Sequence, residues 1–170
     1  MKKITVVSLG PGPRELMTLG AVDALKKAEK IILRTRLRCD AADYLTEIGL
    51  SFDTLDDLHE SCEDFDELIA AAVKRLLKEA EDKEICYGVF DASADETVKA
   101  LREIAEVTVL PGVPLSAPFL AAAPRQDKIE VQTASSLEIT STQNPLLILE
   151  CDSKIPSGPP TGSPRSPFRP

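Results

Sequence analysis

Histidine occurs once in this chain of 170 residues, tryptophan not at all, and aromatic side chains make up only 4% of it. A site built on imidazole therefore has His59 as its one candidate base, in an acidic run with Asp56, Asp57 and Glu60 and with no nucleophile motif beside it. No catalytic residue of that kind is expected. The four cysteines, Cys39, Cys62, Cys86 and Cys151, are too widely spaced for a C-x-x-C pair, and a chain this long builds a core without staples. They read as free thiols, and no metal site is expected. No apolar run approaches the roughly 20 residues that cross a bilayer, and Met1-Lys2-Lys3 leads straight into a strand pattern, so a cytoplasmic chain with no membrane segment is expected. Basic charge is in deficit as well. Twenty Lys and Arg face 28 Asp and Glu, and a net charge of −8 gives no long-range pull toward phosphate backbones, so no nucleic-acid partner is expected.

What the chain does have is alternation. A β-branched apolar run from Ile4 to Leu9 stops at Gly10-Pro11-Gly12-Pro13, and Thr18 then caps a helix carrying Leu19, Val22, Leu25 and Ala28 at helical spacing. Ile31 to Leu33 is a second strand, followed by a helix through Ala41, Tyr44, Leu45 and Ile48 that stops at Gly49. A short strand over 51–55 precedes one long acidic helix over 62–82 with an apolar stripe through Phe65, Leu68, Ile69, Ala72 and Leu76. Glu84 to Val89 is another strand, Ser93 and Glu96 fit a capping box for the next helix, and Val107 to Leu110 is a strand ending at Pro111-Gly112. Such alternation predicts an α/β fold with a mainly parallel sheet flanked by helices. A short helix over 115–123 and strands over 129–133 and 146–150 predict an incomplete second α/β domain. Six of the thirteen prolines then fall between Pro156 and Pro170, which predicts a disordered tail. The expected division is 1–112, 113–154 and 155–170.

In open parallel sheets ligands bind beyond the carboxyl ends of the strands, where Gly10-Pro11-Gly12, Phe90-Asp91-Ala92-Ser93 and Pro111-Gly112-Val113-Pro114 fall. The first is not a dinucleotide fingerprint, because Glu15 stands at the third glycine position and the helix starts near Thr18. Such glycines also serve simply to permit tight turns. Arg34, Arg36 and Arg38 share one side if the second strand continues, either as an exposed basic end or as a clamp for carboxylates. Glu60-x-x-Glu63 and Glu79-x-x-Asp82 copy the acidic spacing of the all-helical nucleoside triphosphate pyrophosphohydrolases. One unbroken helix would hold Glu63 and Glu79 roughly 24 Å apart, too far for one metal cluster, and a solvated acidic face is expected instead.

The run from Val6 to Ala21, with its Gly10-Pro11-Gly12 turn and Leu16 to Leu19 helix start, followed by Ala28 to Thr35, resembles the opening of the tetrapyrrole (corrin/porphyrin) methylases. Val109-Leu110-Pro111-Gly112-Val113 is similar to that family's later proline-glycine turn. Leu33-Arg34-Thr35 with Phe52 to Asp57 resembles the branch fused to a MazG nucleotide pyrophosphohydrolase domain. The resemblance covers about Lys3 to Asp152 and implies an S-adenosylmethionine-dependent methyltransferase whose cleft lies between two α/β domains. It implies that Gly10, Pro11, Gly12, Pro111 and Gly112 line the cofactor cleft, and that Arg34 and Arg36 meet the carboxylates of a small-molecule acceptor of tetrapyrrole type. Methyl transfer from a sulfonium needs orientation more than a base, which suits a chain poor in histidine. Two departures stand out. Phe90 and Asp91 occupy the place of the family's second glycine-rich turn, and Pro114 stands where a small hydroxylated residue is common. Impaired donor binding is expected from them, and from a second domain broken off near Asp152. The alternative expectation is a non-catalytic remnant or regulatory module associated with a MazG-type enzyme. An apolar edge over 146–150 left uncovered predicts a homodimer.

Overall fold

A computed structural model describes residues 3–37, 39–123, 129–133 and 145–149. The chain divides into two compact units between residues 126 and 127.

In the first unit, strands β1 (Lys3–Ser8), β2 (Lys30–Leu33), β3 (Asp53–Thr54), β4 (Ile85–Val89) and β5 (Glu106–Leu110) form one sheet in the order β3-β2-β4-β1-β5. Every pairing is parallel. Period-two alternation sends Ile4, Val6, Ile32, Ile85, Tyr87 and Val89 to one face. There α4 (Phe65–Glu79) and α5 (Glu96–Ile104) cover them with Ala72, Val73, Leu76, Val98 and Leu101. Val7, Leu9, Ile31, Leu33 and Cys86 face the other way, under Ala21 and Leu25 of α1 (Leu19–Lys27) and Ala41, Ala42 and Leu45 of α2 (Asp40–Glu47). A sheet buried on both faces accounts for the continuous apolar strands, and β4 is buried at all five positions.

The helices start where their caps place them. Thr18 accepts a hydrogen bond from the Ala21 N–H, and Gly49, at φ 78°, stops the chain after α2 as expected. Three boundaries differ from expectation. The long acidic helix is confined to α4, because the Asp64 carboxylate accepts from the Glu67 N–H and fixes the start, while Cys62 is extended. Before it the chain makes an unforeseen short helix, α3 (Asp56–Ser61), and the strand over 51–55 shrinks to the two residues of β3. Glu63 and Glu79 still stand at opposite ends of fifteen helical residues, roughly 22 Å of axis. The cap of α5 is Asp95 and not Ser93. Strand β2 ends at Leu33, so Arg34 and Arg36 do not continue it, and Arg38 lies outside the described residues. A sixth helix, α6 (Ala117–Ala122), follows β5.

The second unit contains a parallel pair, β6 (Glu130–Thr133) and β7 (Leu146–Leu149), in register Glu130 to Leu146. Val131 and Ile148 are exposed on it. The proline-rich tail expected over 155–170, and Cys151, lie outside the described residues.

Candidate functional site

The chain leaves β1 through α1 on one face toward β2 and leaves β4 through α5 on the other face toward β5, so the connections diverge between β1 and β4. In sheets of that topology the ligand crevice lies outside the carboxyl ends of the strands at this point. Four turns border that place. After β1, Gly10 and Gly12 take φ values of 91° and 125°, which side chains with a Cβ rarely adopt, and a Cβ on Gly10 would lie 2.9 Å from the Leu16 carbonyl oxygen. After β5, Gly112 lies so close to β1 that a Cβ on it would stand 2.6 Å from the Ser8 carbonyl oxygen. The two glycine turns expected from the sequence therefore meet at the end of adjacent strands, with Pro11 half-buried and Pro111 exposed beside them.

The loop after β4, residues 90–95, touches all the other turns. The Leu9 N–H donates to the Val89 carbonyl at 2.7 Å and the Gly10 N–H to the Phe90 carbonyl at 3.0 Å. The Ala92 N–H donates to Ser8 Oγ at 3.0 Å, a bond buried in the core. Asp91 turns one carboxylate oxygen to the N–H and hydroxyl of Ser93 and the other to the Leu115 N–H, at 3.2 Å in the β5 turn. Asp95 accepts from the Val98 N–H at 3.0 Å and pairs with the Arg34 guanidinium, while the Arg34 N–H donates to the Gly88 carbonyl at 2.8 Å. Phe90 is half-buried and packs on the α1 and α2 side of the core.

Arg34 is thus committed to a carboxylate whose side chain is 2% exposed. Arg36 is exposed, lies 3.3 Å from Asp43, and donates its backbone N–H to Asp56. Desolvation acts to raise the Asp56 carboxyl, but hydrogen bonds from Thr35, the Arg36 N–H and Thr54, with His59 nearby, together hold it below its usual range. His59 sits on α3 at the rim of a small cavity of about 10 Å³ lined also by Arg34, Leu55, Tyr87 and Thr97. Tyr87 is buried beneath it with its hydroxyl unpaired among the described residues, and burial pushes its pKa up. Burial likewise pushes the Cys86 thiol up to about 12 and raises Cys39, so neither is a ready nucleophile. Among the described residues no group of His, Cys, Asp or Glu is placed to hold a metal ion. No described helix is long and apolar enough to cross a membrane.

The sequence pointed to both glycine turns and to the turn over Phe90 to Ser93, but not to the contacts by which that turn ties them. Asp95 was legible only as part of a capping pattern credited to Ser93, and a buried acid in a loop leaves no periodic signal.

Residues 3–144 match the family described as Tetrapyrrole (Corrin/Porphyrin) Methylases. The chain belongs to that family. Solved structures similar to this chain include diphthine synthase, with a TM-score of 0.57 at 16% identity over 77% of this chain and 53% of that one. Another is uroporphyrin-III-C-methyltransferase from Thermus thermophilus, with 0.56 at 23% over 78% and 60%. A Corynebacterium diphtheriae protein described as related to cobalamin synthesis gives 0.53 at 20% over 78% and 64%. The chain thus spans between half and two thirds of the length of these structures, and at such identities the likeness is one of fold. No curated protein matches it in sequence.

Proposed function

We propose that this unit supplies one wall of an S-adenosylmethionine site and that the chain acts in methyl transfer to a small-molecule acceptor of tetrapyrrole type. The observation that carries the reading is the meeting of the Gly10-Pro11-Gly12 and Pro111-Gly112 turns at the carboxyl ends of adjacent parallel strands, beside the point where the connections diverge. The fit is one of shape and backbone: Gly112 packs against Ser8 at the end of β1, and Gly10 packs against the Leu16 backbone within the turn that follows it. Gly10, Pro11, Gly12, Pro111 and Gly112 are the residues assigned to hold the donor. S-adenosylmethionine supplies a methyl group already activated on a sulfonium, so the chain's own task is to orient donor and acceptor and to exclude water. Arg36, exposed and with its guanidinium 3.3 Å from Asp43, is the arginine assigned to an acceptor carboxylate, while Arg34 braces the β2 turn.

Phe90 and Pro114 weaken the grip. Phe90 stands where a glycine would let backbone approach the ligand, and Pro114 offers neither an N–H nor a hydroxyl. Calorimetric titration of the chain with S-adenosylmethionine tests the reading. Saturable one-site binding, weak in the natural chain and tighter in Phe90→Gly, is the expected result. No binding by either chain would overturn it in favour of a non-catalytic module.

A further inference from the structure

The geometry points to Asp91 as the positioning residue of the donor site, fixing the spacing between the β4 and β5 turns through its bridge to the Leu115 N–H. This rests on the donor reading above. The β4 loop reaches the β1 turn through backbone and core hydrogen bonds, from Gly10 to the Phe90 carbonyl and from Ala92 to Ser8 Oγ, and those are fixed by the sheet itself. Among the described residues the β5 turn has no comparable backbone tether to this loop. Pro111 and Pro114 lack N–H groups, and the contact of Gly112 with Ser8 positions only the start of the turn. Further along, the half-buried bond from the Leu115 N–H to Asp91 Oδ2 at 3.2 Å is the hydrogen bond the described residues place between the two turns. The other carboxylate oxygen receives the Ser93 N–H at 3.0 Å and the Ser93 hydroxyl at 2.6 Å, which fixes the side chain so that Oδ2 faces the β5 turn. Because Leu115 opens the turn that leads into α6, where the Ala117 N–H donates to the Pro114 carbonyl at 3.0 Å, releasing it lets the whole segment after Gly112 move away from the crevice. What the bridge requires is an acceptor at the right place, not a negative charge. That distinguishes positioning from a direct contact with a cationic donor.

Two variants of the full chain separate these possibilities: Asp91→Ala removes the bridge, and Ser93→Ala leaves the bridge in place. S-adenosylmethionine affinity is expected to fall about tenfold in Asp91→Ala, as one lost hydrogen bond on a positioned turn implies, and to stay near the natural value in Ser93→Ala. Amide exchange at Leu115 is expected to be protected in the natural chain and in Ser93→Ala, and at least about tenfold faster in Asp91→Ala while the strands keep their protection. Unchanged binding in Asp91→Ala overturns the inference and leaves the donor reading standing. An Asp91→Ala chain that loses affinity while the Leu115 amide keeps its protection overturns it too, by showing that charge and not position matters. If Asp91→Ala does not fold, exchange in the natural chain still decides, since an unprotected Leu115 amide overturns the bridge without any substitution. Absence of binding by the natural chain overturns the donor reading and this inference with it.

Discussion

Strand β2 is four residues long and carries a charge cluster at each end, and the two clusters are built to opposite designs. At its amino end the Lys30 ammonium, 22% exposed, sits 3.0 Å from Asp53 and 2.6 Å from Glu79, joining β2 to β3 and to the last turn of α4. Water reaches all three side chains. At the carboxyl end Arg34 meets Asp95, whose side chain is 2% exposed and whose other oxygen caps α5. The first cluster is a solvated staple whose members can each relax into water. The second is directional and turns on a buried carboxylate: Asp95 depends on Arg34 for its solvation, while Arg34, 22% exposed, keeps some contact with water. The end of the sheet assigned to the ligand is thus the one braced by interactions that cannot slip.

The largest expected effect follows from breaking the buried cluster. Asp95→Ala removes the helix cap, typically about 1 kcal/mol, and leaves Arg34 without its counter-charge; since Arg34 keeps some contact with water, the total expected is about 2–4 kcal/mol. Asp95→Asn keeps the cap and should recover part of it. Urea denaturation of the three chains measures the difference, and a loss no greater than for an exposed pair would mean that Arg34 finds water or another partner. Gly112→Ala comes next. Its Cβ would press on the Ser8 backbone at 2.6 Å, so β1 and β5 must separate at the crevice, at about 1–3 kcal/mol in the same assay. Donor binding should weaken in parallel, because the same contact joins the two assigned turns.

The difference between the clusters also explains what could be read from the sequence. Alternating apolar runs reveal strands buried on both faces, and Thr18 and Gly49 mark helix ends through local chemistry, so the sheet and its flanking helices were legible. Gly10, Gly12 and Gly112 were legible as turns because glycine is required by backbone geometry that has few other solutions. Arg34 and Asp95 are 61 residues apart in the chain, and nothing local announces that one neutralises the other. The alternation of Arg34, Arg36 and Arg38 suggested a shared side of a strand, yet β2 stops at Leu33 because Arg34 turns to the β4–α5 loop. The start of α4 slipped for a similar reason. Asp64 and Cys62 are both acceptable helix residues by propensity, and only the Asp64 bond to the Glu67 N–H decides between them.

The smallest expected effect lies at the solvated end, and its dependence on pH and salt is what distinguishes the designs. The hydrogen bond from Lys30 holds the Glu79 carboxyl below its usual range, and the same contact, with that to Asp53, raises the Lys30 pKa. A depressed carboxyl stabilises the fold above its unfolded value, here near 4.5, and that contribution disappears as pH falls through the lower folded value. A raised ammonium stabilises below its unfolded value near 10.5, and that contribution disappears as pH climbs through the higher folded value. Between the two the staple should contribute a flat amount, no more than about 1 kcal/mol for groups this exposed to water. Lys30→Met is therefore expected to lower stability slightly and evenly from about pH 5 to pH 10, with the deficit shrinking in acid as Glu79 is protonated. In 1 M salt, where screening acts over roughly 3 Å, the deficit should nearly vanish, whereas that of Asp95→Ala should largely persist because the Asp95 carboxylate is buried and the helix cap it forms is not a charge pair in water. Urea midpoints of the two variants against the natural chain, at low and high salt, measure both. If the Lys30→Met deficit survives high salt undiminished, the staple is held by packing of the lysine stem instead of charge, and the contrast between the two ends of β2 is one of degree.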